Sequence, residues 1–297
     1  MPRWDTHAPC SRGTFVEQGG GDPMPTGTAK STTAQNESSL TDDGEITYDV
    51  AEAIATVTLN RPSAHNALTV PMLRQLAEAI DDARTDSQVR AIVLTGAGRR
   101  AFSAGGDLGQ LIPRLTAGEL EILVPDPAKR FFSDVFTPII AAVNGLCLAG
   151  GLEMLLGTDI RIASDRAIFG LPEVRWGLVP GGGTHVRLPQ QVPWAIAMQL
   201  LLTGDHIDAA QAVRAGLVNE VVPAGTELER SVEVAGGIAR NAPVAVRTAK
   251  EIAVRALGNE SRFALEASLN ERVLRSADAV EGPRAFIEKR TPRFTGQ

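Results

Sequence analysis

The sequence predicts an α/β fold, with strands alternating with helices to about residue 190 and helices alone beyond it. Three observations predict it. Short runs rich in Val, Ile and Thr, such as residues 53–59 and 90–95, are separated by stretches with apolar residues at helical spacing. That alternation is the pattern of an α/β domain. From Trp194 onward the spacing turns helical. The composition, 43% hydrophobic and 22% charged over 297 residues, supports one large core or two domains.

Residues 1–44 are rich in Gly, Ser, Thr and Pro. Their large apolar residues are few: Trp4, Phe15, Val16 and Leu40, besides Met1 and Met24. Such a segment buries too little surface to offset its ordering entropy, so a disordered tail is expected. Met24 is an alternative start. Asp5, Glu17 and Asp22 break the acid-poor pattern of a mitochondrial presequence, and no signal-peptide hydrophobic region is present.

The ordered chain is expected from residue 45, as a ββα core over 45–190 and a helical region over 191–297. Residues 46–49 and 53–59 read as two strands around a tight turn. Pro71 opens a helix to about Ala83, with Leu73, Leu76, Ala77 and Ile80 on one face. Residues 90–95 are a buried strand ended by Gly96-Ala97-Gly98. Residues 118–136 read as helical, interrupted by Pro125 and Pro127. Residues 139–143 are a strand, and a helix starts at Gly150-Gly151. Residues 159–163 and 167–169 are strands again. Beyond them, helices are expected over 194–202, from an Asp208 cap to about Ala215, over 227–240, 244–256 and 262–277, with a last turn at 284–289. Residues 219–222 are a short extended piece.

The formal net charge of −6 argues against a dedicated nucleic-acid binder. The two cysteines, Cys10 and Cys147, match neither a metal spacing nor a disulfide framework, and a reducing cytoplasm is expected. His7, His65, His185 and His206 form no metal-ligand pattern, so no metal is expected. No run approaches the roughly 18 to 20 apolar residues of a membrane span.

The chemistry lies in the middle of the chain. Gly150-Gly151 follows a buried strand and opens an apolar helix. A helix start leaves backbone N–H groups unpaired and carries partial positive charge. Glycine lets a ligand approach that backbone closely. Ala104-Gly105-Gly106 is a second turn with exposed amides. Each turn alone is equally readable as an ordinary connection. Two such turns can aim amides at one oxygen, which is an oxyanion hole.

Glu153 lies in the first helical turn, where the helix dipole alone favours a carboxylate. Its neighbours Leu152, Met154, Leu155 and Leu156 are apolar, and a charge among them is costly unless something uses or pairs it. Glu173 follows Pro172 in another apolar stretch, where it is either a second acid/base group or a salt-bridge partner of Arg175.

In order and spacing these features resemble the crotonase superfamily, and within it enoyl-CoA hydratase, over about residues 45–295. The signatures are Leu59-Asn60-Arg61-Pro62 with Asn66-Ala67-Leu68, and Ala101-Phe102-Ser103-Ala104-Gly105-Gly106-Asp107-Leu108. Next come Asn144-Gly145 through Gly150-Gly151-Leu152-Glu153, Phe169-Gly170-Leu171-Pro172-Glu173, and Gly177-Leu178-Val179-Pro180-Gly181-Gly182-Gly183. Ala285-Phe286-Ile287-Glu288-Lys289-Arg290 closes the set. Each piece is weak and the set is specific.

The resemblance implies a crotonase (ClpP-like) fold, a spiral of ββα units with a helical C-terminal region, assembled as trimers or hexamers of paired trimers. It implies an acyl-CoA thioester substrate and no separate cofactor, coenzyme A being carried by the substrate. The amides of Gly106 and Gly150 would hold the thioester oxygen. Glu153 would activate water, Glu173 would protonate the α-carbon, and Gly181 would help hold the water. Substrate and CoA contacts are implied at Arg61, Ala64, Ala104, Asp107, Leu108, Gly181, Phe286 and Lys289, and an acyl pocket at Leu108, Leu111, Ile112 and Leu115. Ser63 and Gly109 stand where several hydratases place CoA-binding lysines. A packing phenylalanine and a solvated lysine are the plain alternatives for Phe286 and Lys289. His65 and His185 match no usual catalytic position.

Retention of both glutamates favours hydration. The alternatives are an enoyl-CoA isomerase, a specialised carnitinyl- or feruloyl-CoA hydratase-dehydratase, and a non-catalytic acyl-CoA-binding protein.

Overall fold

Strands β1 (Glu45–Ala51) and β2 (Ile54–Asn60) form an antiparallel hairpin in a computed structural model that describes residues 45–297. The tail expected over residues 1–44 lies outside the described residues. The hairpin turns on Glu52 and Ala53, both at positive φ. Two successive left-handed residues match the twist of the flanking strands. Helix α1 (Val70–Thr85) begins at Thr69, whose side chain accepts from the Met72 amide, with Pro71 in its first turn.

The next elements repeat a pattern. Strand β3 (Ala91–Gly96) leads to β4 (Ala101–Ser103), and after the short helix α2 (Ile112–Thr116), β5 (Ile139–Val143) leads to β6 (Leu146–Leu148). Helix α3 (Gly150–Leu155) follows, then β7 (Ile160–Ser164) leads to β8 (Ile168–Gly170). The first strand of each pair joins one sheet and the second joins another. The chain thereby spirals between two sheets.

The C-terminal part contains α4 (Thr184–Gln191), α5 (Trp194–Thr203), β9 (His206–Asp208), α6 (Ala209–Arg214) and β10 (Glu220–Val222). It ends with α7 (Glu227–Ala239), α8 (Pro243–Ala256), α9 (Glu260–Leu274) and α10 (Ala277–Ile287). The large sheet has the order β1-β2-β3-β5-β7-β10, parallel except for the first hairpin. The small sheet has the order β4-β6-β8-β9, with β9 antiparallel.

Strand alternation sets the core. Ile92, Leu94, Ile139, Ala141 and Val143 face the main core between the sheets. Ala91, Val93, Ile140 and Ala142 face the opposite way, where Val234, Ala235 and Ile238 of α7 cover them. Both faces are thus buried, which is why these strands read as continuous apolar runs.

Two expectations are corrected. Helices alone do not make up the region past Trp194, because β9 and β10 extend the two sheets. Residues 118–136 are not a helix: a single helical turn at Leu120–Ile122 is followed by turns and bends. Pro125 and Pro127 remove amide donors there, and Phe132 has φ 62°. The Asp208 cap is observed, with a reciprocal capping box to Gln211. Among the described residues no helix is long and apolar enough to cross a membrane.

Candidate active site

The two glycine turns meet. Gly150 is the first residue of α3, so its amide has no intrahelical acceptor. Gly106 lies beside Leu68: the Leu68 amide donates to the Gly105 carbonyl (2.7 Å), and the Asp107 amide donates to the Leu68 carbonyl (2.9 Å). That pairing uses the groups either side of Gly106 and not its own amide. A Cβ placed on Gly150 would lie 3.5 Å from the Gly106 nitrogen. The two turns are therefore immediate neighbours.

The turns are held by strain and packing. Ala149, just before Gly150, has φ 49° and ψ −125°, a conformation that costs an alanine about 1–3 kcal/mol. Its amide donates to the Gly170 carbonyl (3.0 Å), and its carbonyl accepts from the Glu153 amide (3.0 Å), which hold it there. Gly105 has φ 94°, and a Cβ on it would lie 2.6 Å from Ala149 Cβ. Ser103, fully buried, donates its hydroxyl to the Asn66 carbonyl and accepts from the Gly105 amide.

Glu153 points from α3 into the interior and is 6% exposed. Burial raises its pKa, the amides of Gly182 and Gly181 oppose that rise, Glu266 adds to it, and the result is about 7. Glu173 sits in the helical turn Pro172–Trp176. Burial raises its pKa well above the ordinary carboxyl value, and the Glu153 charge raises it further. Two carboxyls in one desolvated site cannot both ionise cheaply. Glu153 Oε1 and Glu173 Oε2 are both buried without a hydrogen-bond partner among the described residues. Two such acceptors suit a water molecule or a substrate hydroxyl. The possible Glu173–Arg175 salt bridge is absent, because Arg175 pairs with Asp205.

The loop Gly181-Gly182-Gly183 closes the site. A Cβ on Gly182 would meet Glu153 Oε2 at 2.6 Å and Phe131 at 2.9 Å. A Cβ on Gly181 would lie 2.5 Å from Asn270 Nδ2. Behind Glu153, the Glu266 carboxylate binds Arg130 Nε (3.0 Å) and accepts from the His185 amide (3.0 Å), and both partners of the Arg130 pair are buried.

Arg61, Asp107 and Leu68 form a brace. Arg61 Nη1 reaches Asp107 Oδ2 (2.7 Å) and the Ala67 carbonyl (3.2 Å). Burial disfavours the Asp107 charge, but Arg61 and the amides of Gly109 and Gln110 outweigh it, so its pKa lies below the usual value. Ala64 ends the helical turn Pro62–Ala64, and the Ala104 amide donates to the His65 carbonyl. Leu111 and Leu115 are buried, while Leu108 and Ile112 line a cleft against α10. Phe286 packs edge-on against Trp176 (4.9 Å), and Lys289 follows α10 at φ 53°. Both lie at the exposed end of α10, and Trp176, which Phe286 touches, ends the helical turn that carries Glu173.

Glu266, Asn270 and Arg130 were not legible as site neighbours. Glu266 and Asn270 stand one turn apart on α9 and resemble the polar face of any surface helix.

The profile of the enoyl-CoA hydratase/isomerase family matches residues 49–297. The chain belongs to this family. It is 41% identical over 250 residues to enoyl-CoA hydratase EchA19 of Mycobacterium tuberculosis, covering 80% of this chain and 91% of that protein. It is 38% identical over 260 residues to the 2,3-dehydroadipyl-CoA hydratase of Escherichia coli, covering 85% and 99%. Among solved structures, a carnitinyl-CoA dehydratase from Mycobacterium avium superposes with a TM-score of 0.75 at 36% identity, covering 85% of this chain and 99% of that one. The spiral of paired strands described above is the crotonase fold of these enoyl-CoA hydratase neighbours.

Proposed function

We propose that this member of the enoyl-CoA hydratase/isomerase family adds water reversibly across the 2,3 double bond of a 2-enoyl-CoA thioester. The observation that carries the proposal is the pair of buried, unpartnered glutamates beside the adjoining amides of Gly106 and Gly150. The names of the relatives, hydratases and a dehydratase of acyl-CoA thioesters, support it.

The chemistry follows from the charges. Glu153, with its pKa near 7, is partly ionised at neutrality and takes a proton from water. The water oxygen bonds to the β-carbon. The π electrons move toward the thioester, and the carbonyl oxygen becomes an enolate oxygen held by the two amides. Glu173, whose raised pKa favours its protonated form, gives its proton to the α-carbon. The product gains one hydroxyl at the β-carbon and one hydrogen at the α-carbon. Glu153 has gained the proton that Glu173 lost, and exchange with solvent restores both. The amides stabilise charge only as it develops, which favours the transition state over the bound substrate. No electron transfer occurs, so the reaction calls for no redox cofactor.

The testing experiment is mass analysis of the product. A 2-enoyl-CoA should gain one water and become the 3-hydroxyacyl thioester. A product of unchanged mass with a shifted double bond would assign isomerisation instead.

Trimers or paired trimers in the cytoplasm complete the proposal. Exposed Val244, Ile252 and Leu265 on α8 and α9, each more than half accessible, support assembly. Light scattering giving a monomer mass would refute it.

A further inference from the structure

We infer that the acyl group is uncharged and about eight carbons or longer, with its tail in the cavity between α1 and residues 121–135. This rests on the hydratase reading above and deepens it to a substrate class.

The cavity has a volume of about 560 Å³. Pockets of roughly 300–1,000 Å³ hold drug-sized ligands, and a four-carbon crotonyl group would fill only a small part of this one. Part of its wall is apolar: Leu73, Leu76 and Ile80 on α1, and Ile122, Leu123 and Phe131 on the opposite segment. Unfilled apolar wall exposed to water is surface that a hydrocarbon tail would cover.

Two contacts tie the cavity to the reacting centre. Phe131 packs against Gly182, the glycine that also touches Glu153. On the other side, Leu73, Ile122 and Leu123 share one apolar cluster with Leu111. A Cβ on Gly106 would lie 3.0 Å from Leu111 Cδ2. Packed apolar side chains therefore link the Gly106 turn to the cavity wall, and we seat the acyl chain along that line, with its carbonyl at Gly106.

The charges lining the cavity select against a charged tail. The lining carries four basic and four acidic side chains. Arg84 is bound to Asp81 (2.5 Å), Lys129 to Asp134 (2.8 Å) and Arg130 to Glu266 (3.0 Å). Lys129 also lies 4.0 Å from Asp126, and Arg74 and Glu121, one of each sign, complete the charged lining. A terminal carboxylate or ammonium would meet no excess of opposite charge and would lose hydration against the apolar wall.

The test is kcat/KM of the full-length protein for straight-chain 2-enoyl-CoA thioesters of four, six, eight and twelve carbons, and for 2,3-dehydroadipyl-CoA, whose tail ends in a carboxylate. Burying one methylene favours binding by about fourfold. We expect at least a tenfold rise from four to eight carbons, and the six-carbon neutral thioester to exceed 2,3-dehydroadipyl-CoA by at least tenfold. Leu123→Trp, which fills the cavity, should lower the eight-to-four-carbon ratio at least tenfold. A maximum at four carbons, preference for the carboxylate-tailed thioester, or an unchanged ratio in Leu123→Trp would each overturn the inference and leave hydration intact. Absence of turnover with every thioester would instead overturn the hydratase reading beneath it. Should Leu123→Trp fail to fold, the wild-type series decides alone.

Discussion

Gly150 and Gly106 are separated so narrowly that a methyl group on the first would rest 3.5 Å from the amide of the second. That distance is ordinary van der Waals contact, so the fold would accept the methyl while the space above the amides would not. The neighbouring Gly151 differs: a Cβ there would lie 2.5 Å from the Ser103 carbonyl oxygen. Gly150→Ala should therefore keep its unfolding free energy within about 1 kcal/mol of wild type but lose activity by about 100-fold, because its methyl blocks access to the amides, an effect as large as losing one oxyanion donor. Gly151→Ala should lose stability first, by about 1–3 kcal/mol. Urea denaturation and initial rates on the two variants separate these outcomes.

Glu153 and Glu173 should each be worth far more than a stabilising contact. Glu153→Gln and Glu173→Gln should each lower kcat by about 100- to 10,000-fold, the range of a lost acid or base. Both variants should bind a non-reactive acyl-CoA with little change in Kd, measured by calorimetry.

The pH profile follows from the two raised carboxyls. The proposed mechanism needs Glu153 ionised and Glu173 protonated. Activity should fall as pH drops through the Glu153 pKa of about 7, and fall again where the raised Glu173 carboxyl ionises. Stability moves with the same groups. Both carboxyls titrate higher folded than unfolded, so their stabilising contribution is complete below the ordinary carboxyl range and is lost as each ionises, that of Glu153 as pH rises through about 7. The Glu153 share is of order 2–4 kcal/mol. Glu153→Gln should unfold with a smaller loss of stability between pH 5 and 8, measured by urea midpoints.

Glu266 should couple fold and site. It neutralises buried Arg130, so Glu266→Ala should cost about 3–5 kcal/mol by leaving that charge unpaired. Its own charge raises the Glu153 pKa, so its removal should move the acid limb of the rate profile to lower pH. A destabilised variant with an unmoved acid limb would restrict Glu266 to a structural role.

Much of this was legible in the chain before its fold. Residues 139–143 read as a buried strand because both faces of that strand are covered. Glu153 stood out as a charge inside an apolar run, and its burial explains the oddity. What was not legible has physical causes. Strands β6 and β9 are three residues each, too short to show a period. The Phe131-Phe132 pair looked helical, yet nearby prolines and a left-handed Phe132 bend the segment into the cavity wall instead. Glu266 reaches Arg130 from 136 residues away, a pairing that local spacing cannot reveal.

The most direct test of the central claim is loss of the conjugated enoyl-thioester absorbance when pure protein meets 2-enoyl-CoA thioesters of four and eight carbons, with Glu153→Gln in parallel. Rapid loss with wild type, and a rate at least 100-fold lower with the variant, is the predicted result. No loss with folded wild-type protein, or equal loss with Glu153→Gln, would contradict hydration through this pair of glutamates.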